Sequence, residues 1–374
     1  MEDLKTRRRD KNIPQTIPFD FNYDVDELKS NCENLVGYIP IPLGVAGPIP
    51  IDGNSNIHVP LCTTEGALVA SVNRGCKLLR LAGGVNTVLS SDGTTRGPVI
   101  NFGDIQQAHE FSKWCESTDG FTFLKHAFES TSRYGKLTQV KPRQAGKQVF
   151  VRFKAHTGEA MGMNMVSKGT LEAISKALEE HFPNGKLVSL SGNYCTDKRA
   201  SAMNWIEGRG KSVIAAAVIR KDLIMQILHV PASDLLQVYT QKCLIGSTMS
   251  MCIGGANAHA ANIVAAIFIA TGQDPAQVID SSYCLTLLEE IDDEHIHASV
   301  TMPCVQVGSI GGGTQLPPQK AAADMLIGNY LEEESRAERL ARNIAAAVLA
   351  GELSLLGALA EGSLVRAHMA LNRK

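Results

Sequence analysis

The chain has 374 residues, of which 44% are hydrophobic and 20% charged. This is the composition of a folded protein of two or three domains and excludes a disordered chain. Thirty-six lysines and arginines against 38 aspartates and glutamates give a net charge of −2, without the basic excess of a nucleic-acid binder. The longest apolar runs, residues 213–219 and 263–270, are shorter than the ~20 residues of a membrane span. With no signal-peptide pattern at the start, we expect no membrane segment.

Cysteine and glycine are the informative residue types. The nine cysteines are odd in number, form no CxxC pair and lie mostly in apolar stretches, which is typical of a reducing compartment and predicts a cytoplasmic location. Thirty-three glycines with only 5% aromatic residues indicate many close backbone approaches, as in a coenzyme-binding enzyme.

The first third of the chain predicts an arm, an extended segment and a helix. Residues 1–36 are polar and mixed and predict an N-terminal arm, whereas the prolines of residues 38–51 predict extended and turning backbone. Thr63 or Thr64 is a suitable N-cap for a helix ending near residue 81, because two glycines follow at 83 and 84.

The residue pattern changes at about residue 98, and residues 98–190 predict a compact β-α-β module. Predicted strands cover 99–102, 137–140, 148–153 and 187–190, and predicted helices cover 104–115, 121–130 and 170–181. Because both ends of the module are rich in glycine, we expect it to be inserted into a larger domain formed by residues 37–97 and 191–374.

The remainder alternates strands and helices. Strands are predicted at 212–219 and 300–308, and the small apolar residues of 256–271 predict a buried helix. The Ala- and Leu-rich region 334–372 predicts helix with a break near Gly351.

Four ionisable residues occupy apolar or glycine-rich settings and are candidates for chemistry: Glu65, Lys198, Asp274 and His368. Each has a structural alternative, since Glu65 could complement a helix dipole, Lys198 could be a solvated loop lysine and Asp274 could be a cap. An isolated histidine such as His368 is more often a surface or core residue than a catalyst.

Further motifs suggest ligand contacts. GSIGGGT at 308–314 follows a strand and can bring backbone close to a ligand, but it is not the dinucleotide fingerprint GxGxxG. MGMNM at 161–165 predicts a loop lining a pocket, and a Ser132–Arg133 pair suits a phosphate monoester. His295 and His297 lack a completing ligand cluster, so we expect no metal. Cys195 with a histidine could form a thiol nucleophile.

Seven segments in order resemble the 3-hydroxy-3-methylglutaryl-CoA (HMG-CoA) reductase family, in the class found in eukaryotes and archaea. The segments are ENLVGYIPIPLGVAGP (33–48), TTEGALVASVNRGC (63–76), EAMGMNMVSKG (159–169), SGNYCTDKRASAMNWIEGRGKSV (191–213), NAHAANIVAAIFIATGQD (257–274), GSIGGGT (308–314) and AGELSLLGALAEGSLVRAHM (350–369).

The resemblance implies a mixed α/β fold. A large substrate-binding domain is interrupted by a small ferredoxin-like coenzyme domain, and the active site forms at the interface of a homodimer or homotetramer. It also implies a four-electron reduction of HMG-CoA to mevalonate with two NADPH molecules and release of CoA.

The resemblance also assigns roles. Lys198 stabilises charge on the carbonyl oxygen, His368 protonates departing CoA, Glu65 donates a proton at the aldehyde stage, and Asp274 tunes Lys198 and Glu65. The implied coenzyme-binding residues are Ser132, Arg133, Glu159, Met161, Gly162, Met163, Asn164, Gly311 and Gly312; Ser132 and Arg133 face the 2′-phosphate and favour NADPH. The implied substrate- and CoA-binding residues are Ser71, Asn73, Arg74, Arg96, Ser191, Asn193, Arg199, Lys242, His259 and Asn262.

Three features depart from the family pattern. Arg199 stands where many relatives have a second lysine, Glu159 replaces a commoner aspartate, and only six residues follow His368. The alternatives to the reductase are an acyltransferase or lyase using Cys195, a non-catalytic CoA-binding protein, and a metal enzyme based on His295 and His297.

Overall fold

The computed structural model describes residues 31–33, 39–53, 55–328 and 334–362. The predicted N-terminal arm lies almost wholly outside this part of the chain, and His368 lies outside it too. Ten strands are described: β1 (Leu43–Ile51), β2 (Ser55–Cys62), β3 (Asn86–Arg96), β4 (Val99–Asn101), β5 (Lys136–Ala145), β6 (Gln148–His156), β7 (Lys186–Ser189), β8 (Gly210–Arg220), β9 (Leu285–Glu290) and β10 (His295–Val305).

Within the same ranges, helices cover most of the remaining chain. They are α1 (Leu68–Leu81), α2 (Ile105–Glu116), α3 (Thr118–Glu129), α4 (Met163–Glu180), α5 (Met203–Glu207), α6 (Lys221–Leu228), α7 (Ala232–Tyr239), α8 (Ser247–Met249), α9 (Ala260–Thr271), α10 (Val278–Ser281), α11 (Pro317–Ile327) and α12 (Arg336–Glu361). A π-helical segment (Thr240–Gly246) joins α7 to α8, and two short 3-10 turns (Pro275–Gln277 and Gly312–Gln315) lie near the cavity described below.

A long antiparallel sheet organises the described chain. Its strand order is β7–β4–β6–β3–β8–β10–β9, with β5 paired to β6, while β1 and β2 form a separate hairpin. Strand β3 connects the two halves of the sheet, because residues 86–93 pair with β8 and residues 94–96 pair with β6. Between residues 99 and 189 the elements follow a β-α-β-β-α-β order with an additional helix.

Two clusters of buried hydrophobic side chains lie on either side of this connection. One cluster draws on residues 46–85 and 213–356, and the other draws on residues 100–177. Helix α12 runs through the first cluster and packs against α1, β8 and α9. It is long and apolar enough to cross a membrane, but 83% of its apolar stretch is buried inside the fold, as expected of a core helix.

Several predicted element boundaries are confirmed. Asp104 caps α2 by accepting a hydrogen bond from the Gln107 N–H at 2.8 Å. Helix α1 ends at Leu81, and after the C-cap Ala82 the glycine pair Gly83 and Gly84 has φ angles of 101° and 108°. These boundaries depend on local backbone chemistry, which a sequence displays directly.

Three predictions about helices are wrong. Helix α1 begins at Leu68 and not after Thr63 or Thr64, because Ala67 adopts a left-handed conformation (φ 71°), so Glu65 lies in an exposed turn ahead of the helix. The MGMNM segment is a loop only as far as Gly162, whose φ of 89° starts α4 at Met163.

The predicted break near Gly351 is also wrong, because α12 is continuous through it. A Cβ atom at Gly351 would lie 2.7 Å from Ile263 Cδ1. This glycine allows α9 to pack closely against α12, which explains its presence without a helix break.

Candidate active site

One cavity of about 890 Å³ gathers many of the predicted site residues. Its walls come from the loop that precedes α4, the loop between β7 and α5, the end of α9 and the glycine-rich turn after β10. The predicted residues on its lining are Arg96, Met161, Gly162, Met163, Asn164, Lys198, Asp274, Gly311 and Gly312. A cavity of this size with few charged groups is typical of a small-molecule site.

An ion pair joins two of the predicted catalytic residues on the cavity wall. Lys198 Nζ lies 2.7 Å from Asp274 Oδ2, and both side chains are partly exposed. Asp274 Oδ1 accepts a hydrogen bond from the Ala276 N–H at 3.0 Å. The carboxylate is therefore both a cap, as the structural alternative proposed, and the partner of Lys198.

The loop that carries Lys198 is held in an unusual backbone conformation. Asn193, Thr196 and Lys198 have positive φ angles of 64°, 61° and 53°, which cost conformational energy for residues other than glycine. Hydrogen bonds of the buried Asn204 support the loop, since its Oδ1 accepts from Thr196 Oγ1 at 2.6 Å and its Nδ2 donates to the Arg199 carbonyl at 3.0 Å. Lys198 is thus positioned by the fold.

Two glycine-rich loops meet at the opposite wall. Ala160 and Ile310 form an isolated parallel bridge, and a Cβ atom at Gly308 would lie 2.5 Å from the Met161 nitrogen. Gly311 and Gly312 have φ angles of 88° and 55° and open space where a side chain would stand. Backbone of this kind can come close to a ligand.

A buried charge network behind the cavity was missed at the sequence level. The fully buried Arg209 contacts Asp280 at 2.5 Å and Asp197 at 2.8 Å, and Asp197 lies on the cavity lining 3.7 Å from Arg96. Burial raises the pKa of Asp280 to about 6, although the ion pair with Arg209 opposes that rise. In the sequence, the only signal of this network was Arg209, just before a strand. Its partners Asp197 and Asp280 are not adjacent to it in the chain, so the sequence did not indicate the ion pairs.

Glu65 lies with a second group of predicted residues. Asn262 Nδ2 donates to Glu65 Oε1 at 3.4 Å and lies 3.5 Å from His259 Nδ1. His259 Nε2 lies 2.9 Å from the Gly351 carbonyl oxygen, and the buried Glu352 accepts hydrogen bonds from the Ala258 and His259 N–H groups. This group sits at the start of α9, whereas Asp274 follows its end.

Three of the four predicted CoA residues lie on α1, while His259 lies at the start of α9. Ser71 Oγ is 3.0 Å from Ser354 Oγ, and Arg74 donates to the Ser354 side chain and carbonyl at 3.0 and 2.7 Å. Asn73 Oδ1 accepts from the Gly47 N–H at 3.0 Å. These contacts place the three side chains between α1, α12 and β1.

The other predicted residues are off the cavity lining. Ser132 Oγ accepts from the Tyr134 and Gly135 N–H groups, and Arg133 lies over the Tyr134 ring at 4.7 Å. Glu159 directs its carboxylate to the start of α12. Ser191, Asn193 and Arg199 lie in the loop that carries Lys198, and Lys242 lies in the π-helical segment; Ser191 is half-buried and the other three are exposed.

Two alternatives can be compared with the described residues: Cys195 as a nucleophile, and a metal site at His295 and His297, which lie 3.0 Å from Asp292 and 3.7 Å from Glu289. Cys195 is buried, with its Sγ 3.7 Å from Ser191 Oγ, and a buried thiol is poorly placed to act as a nucleophile. The one described cluster with metal-like spacing contains Asp92, His156 and Glu338, with ligand atoms within 4.8 Å of one another. Lys211 Nζ, at 3.1 Å from Asp92, already supplies positive charge there, as in an ion-pair cluster.

Comparisons with known proteins identify the family. The sequence profile of hydroxymethylglutaryl-coenzyme A reductase matches residues 4–373. The 3-hydroxy-3-methylglutaryl-coenzyme A reductase of Phycomyces blakesleeanus is 52% identical over 94% of this chain and 30% of that protein. Reductase 2 of Dictyostelium discoideum is 49% identical over 97% of this chain and 71% of that protein.

Solved structures share the fold. A class II 3-hydroxy-3-methylglutaryl-CoA reductase from Streptococcus pneumoniae, solved with NADPH, superposes with a TM-score of 0.68 at 22% identity, covering 90% of this chain and 89% of that one. The chain spans about a third of the length of several curated relatives, including those of Phycomyces blakesleeanus and Strongylocentrotus purpuratus (30% and 37%). From the profile match and the identities, the chain belongs to the hydroxymethylglutaryl-coenzyme A reductase family.

Proposed function

We propose that this chain reduces HMG-CoA to mevalonate, with two NADPH molecules and release of CoA. The observation that carries the proposal is the Lys198–Asp274 ion pair on the wall of a cavity lined by two glycine-rich loops. Conversion of a thioester to an alcohol takes four electrons, so two hydrides are needed in sequence. NADPH supplies each hydride when it is bound.

Lys198 provides the electrostatic stabilisation in this proposal. Each hydride addition places negative charge on the carbonyl oxygen of the substrate, and a positioned ammonium group lowers the energy of that charge. Asp274 holds the ammonium from one side at 2.7 Å. Glu65 is proposed as proton donor at the aldehyde stage, and His368 as the group that protonates the departing thiolate.

A complete site is proposed to need two chains. Glu65 lies with Asn262 at the start of α9, whereas Asp274 and Lys198 lie beyond its end. From Asn262 to Thr271 the helix rises about 14 Å at 1.5 Å per residue, and we propose that this separation prevents Glu65 and Lys198 of one chain from sharing one carbonyl group. A homodimer or homotetramer that brings Glu65 of one subunit to Lys198 of another supplies both groups.

The residues fit a phosphorylated nicotinamide coenzyme. Gly311 and Gly312 leave room for close backbone approach, and the turn at 132–135 contacts the start of α4, since a Cβ at Gly135 would lie 3.1 Å from Met165 Sδ on the cavity lining. We assign Ser132 and Arg133 to the 2′-phosphate, because a hydroxyl and a guanidinium suit a phosphate monoester. This favours NADPH over NADH.

Binding of the substrate is proposed at the cavity and at α1. Arg96, on the cavity lining, provides a cation for the carboxylate of the hydroxymethylglutaryl portion. The residues assigned to this portion are Arg96, Ser191, Asn193, Arg199, Lys242 and Asn262, and those assigned to CoA are Ser71, Asn73, Arg74 and His259.

We also propose a domain division and a cellular location for this chain. The two hydrophobic clusters support a small coenzyme module at 98–190, ferredoxin-like in its β-α-β-β-α-β order, inserted between residues 37–97 and 191–374. All nine cysteines are free and six are buried, which supports a reducing, cytoplasmic environment for this part of the protein.

The experiment is a coenzyme oxidation assay at 340 nm. We expect oxidation of NADPH only after HMG-CoA is added, two NADPH per mevalonate, and slower turnover with NADH. Release of CoA thiol without coenzyme would identify an acyltransferase or lyase instead. CoA binding without NADPH oxidation would identify a non-catalytic binding protein.

A further inference from the structure

Tyr283 is a buried tyrosine whose hydroxyl contacts the loop that carries Lys198. The residue is 1% exposed, and its hydroxyl oxygen accepts a hydrogen bond from the Ser201 N–H at 2.6 Å. Ser201 lies three residues after Lys198, at the entry to α5. Its carbonyl accepts from the Asn204 N–H and its Oγ accepts from the Met203 N–H, both at 3.2 Å. Tyr283 therefore holds the point at which the loop becomes helix.

The ring of Tyr283 contacts the same helix. It stacks on Trp205 with ring centroids 5.7 Å apart and an angle of 28° between the ring planes. Trp205 is fixed in turn, because its Nε1 donates to the Ile253 carbonyl at 2.6 Å. The hydroxyl and the ring of one side chain thus hold the end of the loop at two points.

The short segment that ends at Tyr283 begins at Asp274, the partner of Lys198. It contains the 3-10 turn and α10, and every contact with the loop comes from a different part of it. In its middle, the fully buried Gln277 donates from Nε2 to Asp197 Oδ1 at 2.9 Å, and Asp197 directly precedes Lys198. This segment contacts the loop at three positions, through Asp274, Gln277 and Tyr283.

The loop needs such support because its backbone is strained. Residues other than glycine keep positive φ angles, as at Asn193, Thr196 and Lys198, only where the surrounding structure enforces them. Without the Tyr283 hydroxyl, the Ser201 N–H loses a hydrogen-bond partner inside the fold. The loop then gains access to relaxed conformations in which Lys198 leaves its place on the cavity wall.

We propose that Tyr283 is a positioning residue for Lys198, whose hydroxyl anchors residues 193–201 in the conformation that presents the ammonium group to the cavity. Tyr283 does not belong to the described lining of the cavity, so it acts through the loop. Because Lys198 stabilises the carbonyl oxygen only in the proposed function, this inference rests on that function. The rate of reduction is then sensitive to Tyr283, whereas coenzyme binding is not, since the glycine-rich loops come from other segments.

The test is Tyr283→Phe, which removes the hydroxyl and keeps the ring. We expect kcat for HMG-CoA reduction at saturating substrates to fall about tenfold, with the Kd of NADPH changed less than about twofold. Because the hydroxyl acts through Lys198, the double variant Lys198→Ala/Tyr283→Phe is expected to keep the residual kcat of Lys198→Ala. A merely structural role would lower kcat by the same factor in both backgrounds.

Amide hydrogen exchange measures the loop without any catalysis. Residues 193–201 are expected to exchange about tenfold faster in Tyr283→Phe than in wild type, while α2 exchanges as before. Tyr239→Phe is the matched control, since it removes the hydroxyl of another buried tyrosine, which hydrogen-bonds the Leu288 backbone away from the cavity. We expect wild-type kcat and wild-type loop exchange in this control.

Wild-type kcat or wild-type loop exchange in Tyr283→Phe would overturn the proposal, and so would an equal loss of kcat in the Lys198→Ala background. If Tyr283→Phe does not fold, Trp205→Phe takes its place, because it keeps a ring against Tyr283 but loses the hydrogen bond to Ile253. Unchanged kcat and loop exchange in that variant overturn the proposal. Wild-type protein that does not reduce HMG-CoA would refute the proposed function, while hydrogen exchange still decides whether Tyr283 holds the loop.

Discussion

Lys198 and Asp274 form a 2.7 Å ion pair just beyond one end of α9, while Glu65 contacts Asn262 at the other end of that helix. The helix thus separates two groups of residues that we propose act at one carbon atom. Both groups are built by the same chain, and we propose that a second copy of the chain brings them together.

Lys198→Ala is expected to lower kcat for NADPH-dependent HMG-CoA reduction by about 10³-fold, because it removes the charge opposite the developing oxyanion. Steady-state assays with saturating substrates measure this loss. The control is Lys221→Ala, which breaks a surface ion pair of similar length with Glu290 (2.8 Å). Full turnover by Lys198→Ala would refute the proposed mechanism.

Mixing two inactive variants is expected to restore activity. If Glu65 and Lys198 act from different subunits, equal amounts of Glu65→Gln and Lys198→Ala that exchange subunits yield about a quarter of the wild-type activity, since half of the dimers carry one intact site. Activity is measured after mild dissociation and reassociation. A chain carrying both substitutions, mixed with itself, is the control. Absence of recovery with proven subunit exchange would contradict the shared site.

Arg133→Ala is expected to reduce the preference for NADPH over NADH by about tenfold, because a guanidinium interacts with the additional phosphate of NADPH alone. The ratio of kcat/KM for the two coenzymes is the measurement. Lys136→Ala removes another exposed cation nearby, which ion-pairs with Glu129 at 3.8 Å, and is expected to leave the ratio unchanged. Equal losses with both coenzymes would assign Arg133 no role at the 2′-phosphate.

Asp280→Asn is expected to reduce the pH dependence of the free energy of unfolding between about pH 4 and pH 6. Burial raises the pKa of Asp280 from 3.8 to about 6 in the folded chain. Within this window the folded chain retains a proton that the unfolded chain has released. Its contribution to stability therefore falls as pH rises, by at most about 1.4 kcal/mol per pH unit.

Urea unfolding across this pH range measures the Asp280 effect as the difference in slope between wild type and variant. Asp222→Asn is the control, because Asp222 is exposed and pairs with the neighbouring Arg220 at 2.6 Å. We expect the wild-type slope in the control. The same slope in Asp280→Asn would show that Asp280 does not titrate in this window.

Gly75→Ala is expected to lower the free energy of unfolding by about 3 kcal/mol through overpacking. An added Cβ would lie 1.9 Å from the Ala350 carbonyl oxygen, so α1 and α12 would have to separate. Gly254→Ala is the matched control, since nothing lies within 4 Å of its added Cβ. Comparable stability of the two variants in urea unfolding would contradict the close α1–α12 packing.

Local sequence signals located much of the secondary structure. Asp104 predicted the start of α2, and Gly83 and Gly84 predicted the end of α1, because caps and glycine turns act within a few residues. The same reasoning failed at Gly351, where the glycine serves contact with α9. A glycine needed for distant packing looks the same in the sequence as one that ends a helix.

The sequence by itself determined the family and the identity of the candidate site residues, because these depend on ordered motifs such as 191–213 and 308–314. Only the tertiary structure decided that Lys198 pairs with Asp274, that Arg209 supports Asp197, that Glu159 caps α12 and that Glu65 lies at the far end of α9. The partners in these contacts are separated by 12 to 197 residues. Hydrogen bonds and ion pairs depend on distance in space, which the fold alone sets.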